Sequence, residues 1–407
     1  MSKICIIIGA SHGGSQAALS LRQMGWEGKI ILIGAEKDLP YHRPPLSKDY
    51  LAGRKNFEQI LLRPQAAYEK ADIDLRLGVT VTAIDRAHKT VMTAHGEKIS
   101  YDNLVLATGA CVRALPVPGA ELENVFYLRN AEDARAIQGQ IRQGRRAVII
   151  GGGYIGLEMA ASLRGSGMAV TVLEAMDRIL QRVTAPEVSR FFKRIHEEEG
   201  VEISETVTAS AIEQNSNDLS VLTEKGARYP ADMVIIGIGV LPALDLAKGA
   251  GLALEDGIVV NEYCQSSDPD IYAVGDVTWH KSALYGRFMR LESVPNATEQ
   301  AKIFAAHLTG KPKPYSALPW FWSDQYDLKL QIAGLSHGYD NLVIRGDIET
   351  SRKFAAFYFL ENRLLAVDAV NDPQSFMMTK TVLSQGKNLD KEKIAVPDSD
   401  LKQAIIG

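Results

Sequence analysis

The stretch AVIIGGGYIG, residues 147–156, is an apolar run that stops on a glycine-rich turn. Gly151, Gly153 and Gly156 stand at G-x-G-x-x-G spacing, with Tyr154 and Ile155 between the last two. In such a turn the first glycine makes the strand-to-helix corner, the second lets backbone approach a pyrophosphate, and the third lets the helix pack on the strand. LEMAASLRGSG follows as a helix and MAVTVLEAMDR as the next strand, so the context that gives the motif its meaning is present. Glu174 lies about twenty residues past the start of the motif, where an acid meets an adenosine ribose.

Working outward, IIIGASHGGSQAA at residues 6–18 repeats the pattern with one change. Gly9, Ser11 and Gly14 occupy the three key positions, and Gly13 is an extra glycine beside them. KICIII before it has the pattern of a buried strand, and SQAALSLRQMG after it is helical, with Gly25 as its stop. Ser11 adds a small side chain that can donate a hydrogen bond, while the helix N-terminus stays open to an anion. Read by itself the stretch favours a working phosphate turn, with a turn without a ligand as the competing reading. A second fingerprint about 140 residues on changes the balance, because a chain with two dinucleotide modules is suited to passing electrons between them.

The 407 residues suit two or three domains. A hydrophobic content of 46% and a charged content of 23% are those of an ordinary globular protein, and a net charge of −4 gives no reason to expect nucleic acid or an anionic membrane as partner. No apolar stretch has the length of a membrane span, and MSKICIIIGA lacks the layout of a secretory signal, which predicts a cytoplasmic protein. The three cysteines, Cys5, Cys111 and Cys264, form no C-x-x-C or C-x-x-x-x-C pair, which argues against a disulfide reductase. Cys5 reads as a small buried hydrophobe. His12 and His42 have no second ligand at metal spacing, so no metal site is expected.

The order of segments predicts nested modules. Residues 1–114 form the first part of one dinucleotide-binding domain, which takes in the irregular loop KDLPYHRPPLSKDYL and ends near the turn Ala107-Thr108-Gly109. Residues 115–241 form the second, from the link RALPVPGA to the strand DMVIIGIG. Residues 242–319 return to the first, where GIVVNEYCQSSDPDIYAVGDVTW reads as a strand ending at Gly275-Asp276, an acid just past a strand end. From 320 to 407 apolar and polar residues alternate, as in KLQIAGL and KFAAFYFLENRLLAVDAV, which predicts a small antiparallel sheet with a closing helix. The expected fold is α/β, with two nested Rossmann-like dinucleotide-binding domains and a small C-terminal α+β domain with an antiparallel sheet.

The segments LPYHRPPLSK, LVLATGA, VIIGGGYIGLE, YAVGDV, RLESVPNATEQA and PWFWSDQY give the chain a family resemblance over essentially its whole length. It resembles the FAD-dependent NADH:ferredoxin reductases of bacterial oxygenase systems, the putidaredoxin reductase group. The ATG and GD turns occur across many flavoproteins, whereas RPPLSK, ESVPNA and FWSDQY are narrower.

The resemblance implies that Gly9, Ser11, Gly13 and Gly14 hold the FAD pyrophosphate and that Glu36, one residue later than in some relatives, meets its ribose. It also implies flavin-side contacts from Arg43, Lys48, the turn Ala107-Thr108-Gly109, Asp276, the backbone at Val294, and Trp322. Val81 would meet adenine through its backbone, and Arg129 a phosphate. In the second module it implies NADH on Gly151, Gly153, Tyr154, Ile155, Gly156, Glu174 and Gly239, with Glu158 beside the nicotinamide. Several of these residues have simpler readings. Lys48 could open a solvated face, Trp322 could be core with Trp320 as its rival, and Arg129 could pair with Glu132 or Asp133. Glu158 could be a surface carboxylate, and Arg178, four residues after Glu174, could fold back to a phosphate.

The implied activity carries electrons from NADH through FAD to a 2Fe-2S ferredoxin that supplies a cytochrome mono-oxygenase or a Rieske ring-hydroxylating dioxygenase. Lys48, Glu158 and Trp322 are the candidate catalytic residues. Since no cysteine cluster here can hold an iron–sulfur centre, the acceptor cluster belongs to a separate protein. Alternatives on the same scaffold are a rubredoxin or monodehydroascorbate reductase, and a redox-sensing interaction flavoprotein of the apoptosis-inducing-factor type. The oligomeric state, monomer or homodimer, is open. Arg182, Arg190, Lys193 and Arg194 are candidates for steering an acidic partner, with solvated helix charge as the competing reading.

Overall fold

A computed structural model describes residues 3–215, 218–396 and 399–407. The chain divides into two compact units. The first comprises Met1–His42, Phe57–Cys111 and Leu241–Pro319, and the second Arg43–Asn56, Val112–Val240 and Trp320–Gly407.

The first unit is built on a five-stranded sheet in the order Ile271–Ala273, Asn103–Leu106, Ile4–Ile8, Lys29–Gly34, Ile73–Leu77, with every pairing parallel. A parallel sheet is covered on both faces, which explains strands such as ICIII and KIILIG with no polar alternation. Alternate residues still point to opposite sides. Ile6, Ile8, Ile31 and Ile33 join one buried cluster, whereas Cys5, Ile7, Ile30 and Leu32 pack against Ala17, Leu21 and Phe304 of the helices His12–Gln23 and Val294–Leu308. A three-stranded antiparallel sheet, Val81–Asp85, Thr90–Thr93 and Lys98–Ser100, completes the module.

The second unit repeats the plan. Val201–Ser204, Ala169–Leu173, Arg146–Ile150, Met233–Ile236 and Val125–Tyr127 make a second five-stranded parallel sheet, again with the fingerprint strand at its centre. A three-stranded antiparallel sheet accompanies it, Ala209–Asn215, Asp218–Thr223 and Arg228–Ala231. This unit also contains an antiparallel sheet in the order Trp320–Gln325, Leu328–Gly334, Arg363–Val370, Phe354–Leu360, Asn341–Gly346, followed by the helix Pro373–Ser384. The parallel and antiparallel sheets of this unit share one core, in which Phe191 meets Phe354 edge to face at 4.8 Å.

Two segments differ from the expectation drawn from sequence. GIVVNEYCQSSDPDIYAV is two strands in different sheets, Ile258–Val260 and Ile271–Ala273. Between them the Asn261 side chain accepts from the backbone N–H groups of Tyr263 and Gln265, and Cys264 adopts φ +63°, so the chain turns. The second-module strand ends at Leu173 rather than running to Arg178, which leaves Glu174 at the strand's C-terminal edge.

Candidate functional site

In both modules the fingerprint strand lies between neighbours that connect in opposite senses, which opens a crevice beyond the carboxyl ends of the strands. The two turns have the same construction. Gly9 and Gly151 take φ of +110° and +116°, and their N–H groups donate to Ile33 and Leu173 of the next strand. A Cβ at Gly14 would come within 1.8 Å of the Gly9 carbonyl, and one at Gly156 within 2.1 Å of the Gly151 carbonyl, so helix and turn touch backbone to backbone. The middle position is different. A Cβ on Gly153 would meet nothing within 4 Å, so this position faces open space at the N-terminus of the helix Tyr154–Gly165. Ser11 stands at the corresponding N-cap of His12–Gln23. A side chain at this position therefore occupies space rather than breaking the turn.

These residues fit a dinucleotide on each module. The first turn of a helix leaves backbone N–H groups without partners in the helix, and these suit a pyrophosphate. In the second module Glu174 accepts from the Gly152 N–H at 2.7 Å and the Met176 N–H at 2.8 Å, which fixes its carboxylate at the lip of the crevice. Arg178 is turned away from it. Its guanidinium donates to the Ser189 hydroxyl and the Gln181 carbonyl. Ile155 is exposed on the helix, and Gly239 takes φ +105° with the Arg182 guanidinium beside it. In the first module Glu36 follows the strand Lys29–Gly34 and accepts from the Tyr41 hydroxyl. Val81 is buried at the head of its strand, Thr108 donates to the Ala243 carbonyl, and Val294 opens its helix after the cap Ser293. The Gly275 N–H, just before Asp276, donates to the buried Gln300 side chain at 2.8 Å.

The most constrained cluster lies in the second unit. Glu158, on the inner face of the helix Tyr154–Gly165, is 4% exposed. Lys48 places Nζ 2.7 Å from its Oε2, Ser47 donates to the same oxygen, and Ser323 donates to Oε1 at 2.6 Å. A buried carboxylate needs such partners, since desolvation otherwise disfavours the charge. Glu158 is therefore not a surface carboxylate and Lys48 does not open a solvated face. Tyr154, one turn earlier, lies 5.0 Å from Phe321, and its hydroxyl has no hydrogen-bond partner among the described residues. Burial, with Asp368 and Glu158 adding to it, pushes that phenol well above its usual range.

Of the other assigned positions in this unit, the Arg43 guanidinium donates to the Arg129 carbonyl at 2.5 Å, and the Arg129 N–H donates to Asp133. Trp322 lies 5.6 Å from Trp320, which is itself covered by Lys380 at 4.2 Å and by Phe376. Ser47 and Ser323 are the residues that sequence reasoning missed. Both sit inside the motifs PPLSK and FWSDQ, next to Lys48 and Trp322. Of the basic candidates, Arg190 pairs with Glu187, Lys193 with Glu205 and Arg194 with Glu198, so most of that helix charge is locally neutralised.

A family model for pyridine nucleotide-disulphide oxidoreductases matches residues 3–301, and one for a reductase C-terminal domain matches 320–405. The chain belongs to this family. It is 44% identical to putidaredoxin reductase of Pseudomonas putida, over 98% of this chain and 96% of the relative. It is 42% identical to the ferredoxin reductase subunit of 5,5'-dehydrodivanillate O-demethylase from Sphingobium sp., over 98% and 97%. The crystal structure of a covalent putidaredoxin reductase–putidaredoxin complex superposes with a TM-score of 0.96 at 44% identity, covering 99% of this chain and 98% of that one. Membership of the family makes the protein an oxidoreductase that uses a flavin and a nicotinamide nucleotide. The disulfide half of the family name has no counterpart here. Cys5 and Cys264 are buried, with burial raising both thiols, and Cys111 is exposed with its thiol near the Leu241 carbonyl. Among the described residues no helix is long and apolar enough to cross a membrane.

Proposed function

We propose that the protein is a cytoplasmic NADH:ferredoxin reductase in which the first module holds FAD and the second NADH, and that it supplies electrons to a separate 2Fe-2S ferredoxin of an oxygenase system. The observation that carries this reading is the presence of two dinucleotide turns in a chain without paired thiols. Electrons that enter from a nicotinamide have no internal dithiol to go to and must leave to an acceptor outside the chain. The likeness to a putidaredoxin reductase and to the ferredoxin reductase subunit of an O-demethylase supports this reading.

The cofactors supply hydride transfer from nicotinamide to flavin and the onward release of single electrons. The chain's own residues bind and orient. Gly151, Gly153 and Gly156 receive the pyrophosphate, and Glu174 accepts from the ribose hydroxyls and repels a 2′-phosphate. Arg178 is engaged on Ser189 and Gln181 rather than on Glu174, so it does not offset the repulsion, which favours NADH. Glu158, held by Lys48, would supply a fixed negative charge to a nicotinamide ring that gains positive charge as it gives up hydride. In the first module Gly9, Ser11, Gly13, Gly14, Glu36, Ala107, Thr108, Gly109, Val81, Asp276 and Val294 bind FAD; Arg43, Arg129 and Trp322 are assigned flavin contacts by the family resemblance.

The test is to release and identify the flavin, then compare 2Fe-2S ferredoxin, rubredoxin and monodehydroascorbate as acceptors under NADH. FAD and fastest reduction of the ferredoxin are expected. Faster reduction of another acceptor, or slow turnover with all of them and a long-lived charge-transfer band, would overturn the assignment.

A further inference from the structure

Ser323 does not end the chain of contacts at Glu158. Its Oγ accepts from Gln325 Nε2 at 3.1 Å, Gln325 Oε1 lies 2.8 Å from His196 Nε2, and His196 Nδ1 lies 3.1 Å from the Tyr326 hydroxyl. His196, Gln325 and Ser323 are each 2% exposed or less. Glu158 and Ser323 are 165 residues apart in sequence, and His196 and Gln325 are 129 apart.

The direction of every proton follows from the carboxylate end. A carboxylate only accepts, so Ser323 donates to Glu158. The serine oxygen then accepts, which turns the Gln325 NH2 toward it and the amide oxygen toward His196. That oxygen needs an N–H, which fixes the His196 proton on Nε2 and leaves Nδ1 to accept from the Tyr326 hydroxyl. All four donors point toward Glu158. We propose that His196, Gln325 and Ser323 form a one-way hydrogen-bond relay in which His196 is a positioning residue for the Glu158 carboxylate. Hydrogen bonds aligned head to tail polarise one another, so the anion at the end is stabilised by more than its nearest hydroxyl. The histidine suits this task because it stays neutral. Burial pushes its imidazole down to about 4 despite the Gln325 contact and the charge of Glu199. The importance of Glu158 in hydride transfer rests on the function proposed above, whereas the relay itself is a property of the fold.

Two readouts on the holoenzyme test it. Long-range proton–nitrogen correlation on nitrogen-15 histidine-labelled protein should show His196 protonated on Nε2 alone from pH 6 to 8. Its Nε2 resonance should move in Glu158→Gln but not when Ser323→Ala is added. In anaerobic stopped flow at saturating NADH, His196→Phe should slow flavin bleaching by about fivefold with NADH affinity within about twofold of wild type. His196→Gln, which keeps a donor at the Nε2 position, should restore the rate and separates loss of the relay from loss of fold. A proton on Nδ1, a resonance indifferent to Glu158→Gln, or additive losses in His196→Phe with Ser323→Ala would overturn the relay. Failure of wild type to bleach with NADH would refute the function instead, and the resonance data would still decide the relay.

Discussion

Replacing Lys48 with methionine isolates the electrostatic core of the site. The substitution keeps the aliphatic stem and removes the ammonium that lies 2.7 Å from Glu158, in a pair whose side chains are 13% and 4% exposed. Breaking a fully buried ion pair from one side costs about 3–5 kcal/mol, because the remaining charge is left without its partner. Here Ser47 and Ser323 still donate to the carboxylate, so a loss of roughly 2 kcal/mol is expected. With a denaturant slope of about 3 kcal/mol/M for a unit of this size, the urea midpoint should fall by roughly 0.7 M. Adding Glu158→Gln neutralises the orphaned group and should recover most of that loss, although Lys48→Met alone and the double variant remove the same cation. Urea unfolding followed by tryptophan fluorescence and circular dichroism measures both. An unchanged midpoint in Lys48→Met, or a double variant less stable than the single one, would refute the reasoning.

The remaining expectations concern the turns, the ribose acid and one buried carboxyl. Gly153→Ser should fold within about 0.5 kcal/mol of wild type because its Cβ enters open space, whereas Gly156→Ala should lose roughly 2 kcal/mol and its NADH binding to a backbone clash, which calorimetry and titration would measure. Glu174→Ala should lower the preference for NADH over NADPH by about tenfold in kcat/KM, since removing one repulsion worth about 1.4 kcal/mol changes the ratio that much. Burial pushes the Asp368 carboxyl up to about 6, against the opposing hydrogen bonds from Thr184 and Tyr358. The native state therefore holds that proton more tightly than the unfolded chain. The stabilisation is complete below about pH 4 and is lost as the pH rises through 6. Relative to wild type, Asp368→Asn should gain at most roughly 3 kcal/mol in unfolding free energy between pH 4 and pH 7.5.

The sequence was legible where a structural requirement is local. Gly151 and Gly156 are demanded by a turn whose partners lie within a few residues, and the strand–turn–helix order around them is enough to place a parallel sheet. The alternation after Trp320 likewise predicts the antiparallel sheet that is found. What escaped reading was contact across long separations. Glu158 looks like any helix carboxylate until Ser47, from 111 residues away, and Ser323, from 165, are seen to close over it. No periodicity within one segment carries that information. The break at Cys264 has a different origin, because its turn is made by an asparagine side chain that accepts two local N–H groups, a contact that the sequence pattern does not display.

Passage of electrons from two dinucleotide modules out to an iron–sulfur protein can be followed by anaerobic double-mixing stopped flow. Purified protein is mixed first with NADH and then with a 2Fe-2S ferredoxin, and the flavin absorbance is followed. Rapid bleaching by NADH, much slower bleaching by NADPH, and rapid return of the flavin band as the ferredoxin is reduced are expected. A flavin that bleaches but is not reoxidised by any 2Fe-2S ferredoxin of its own genome would contradict that passage of electrons.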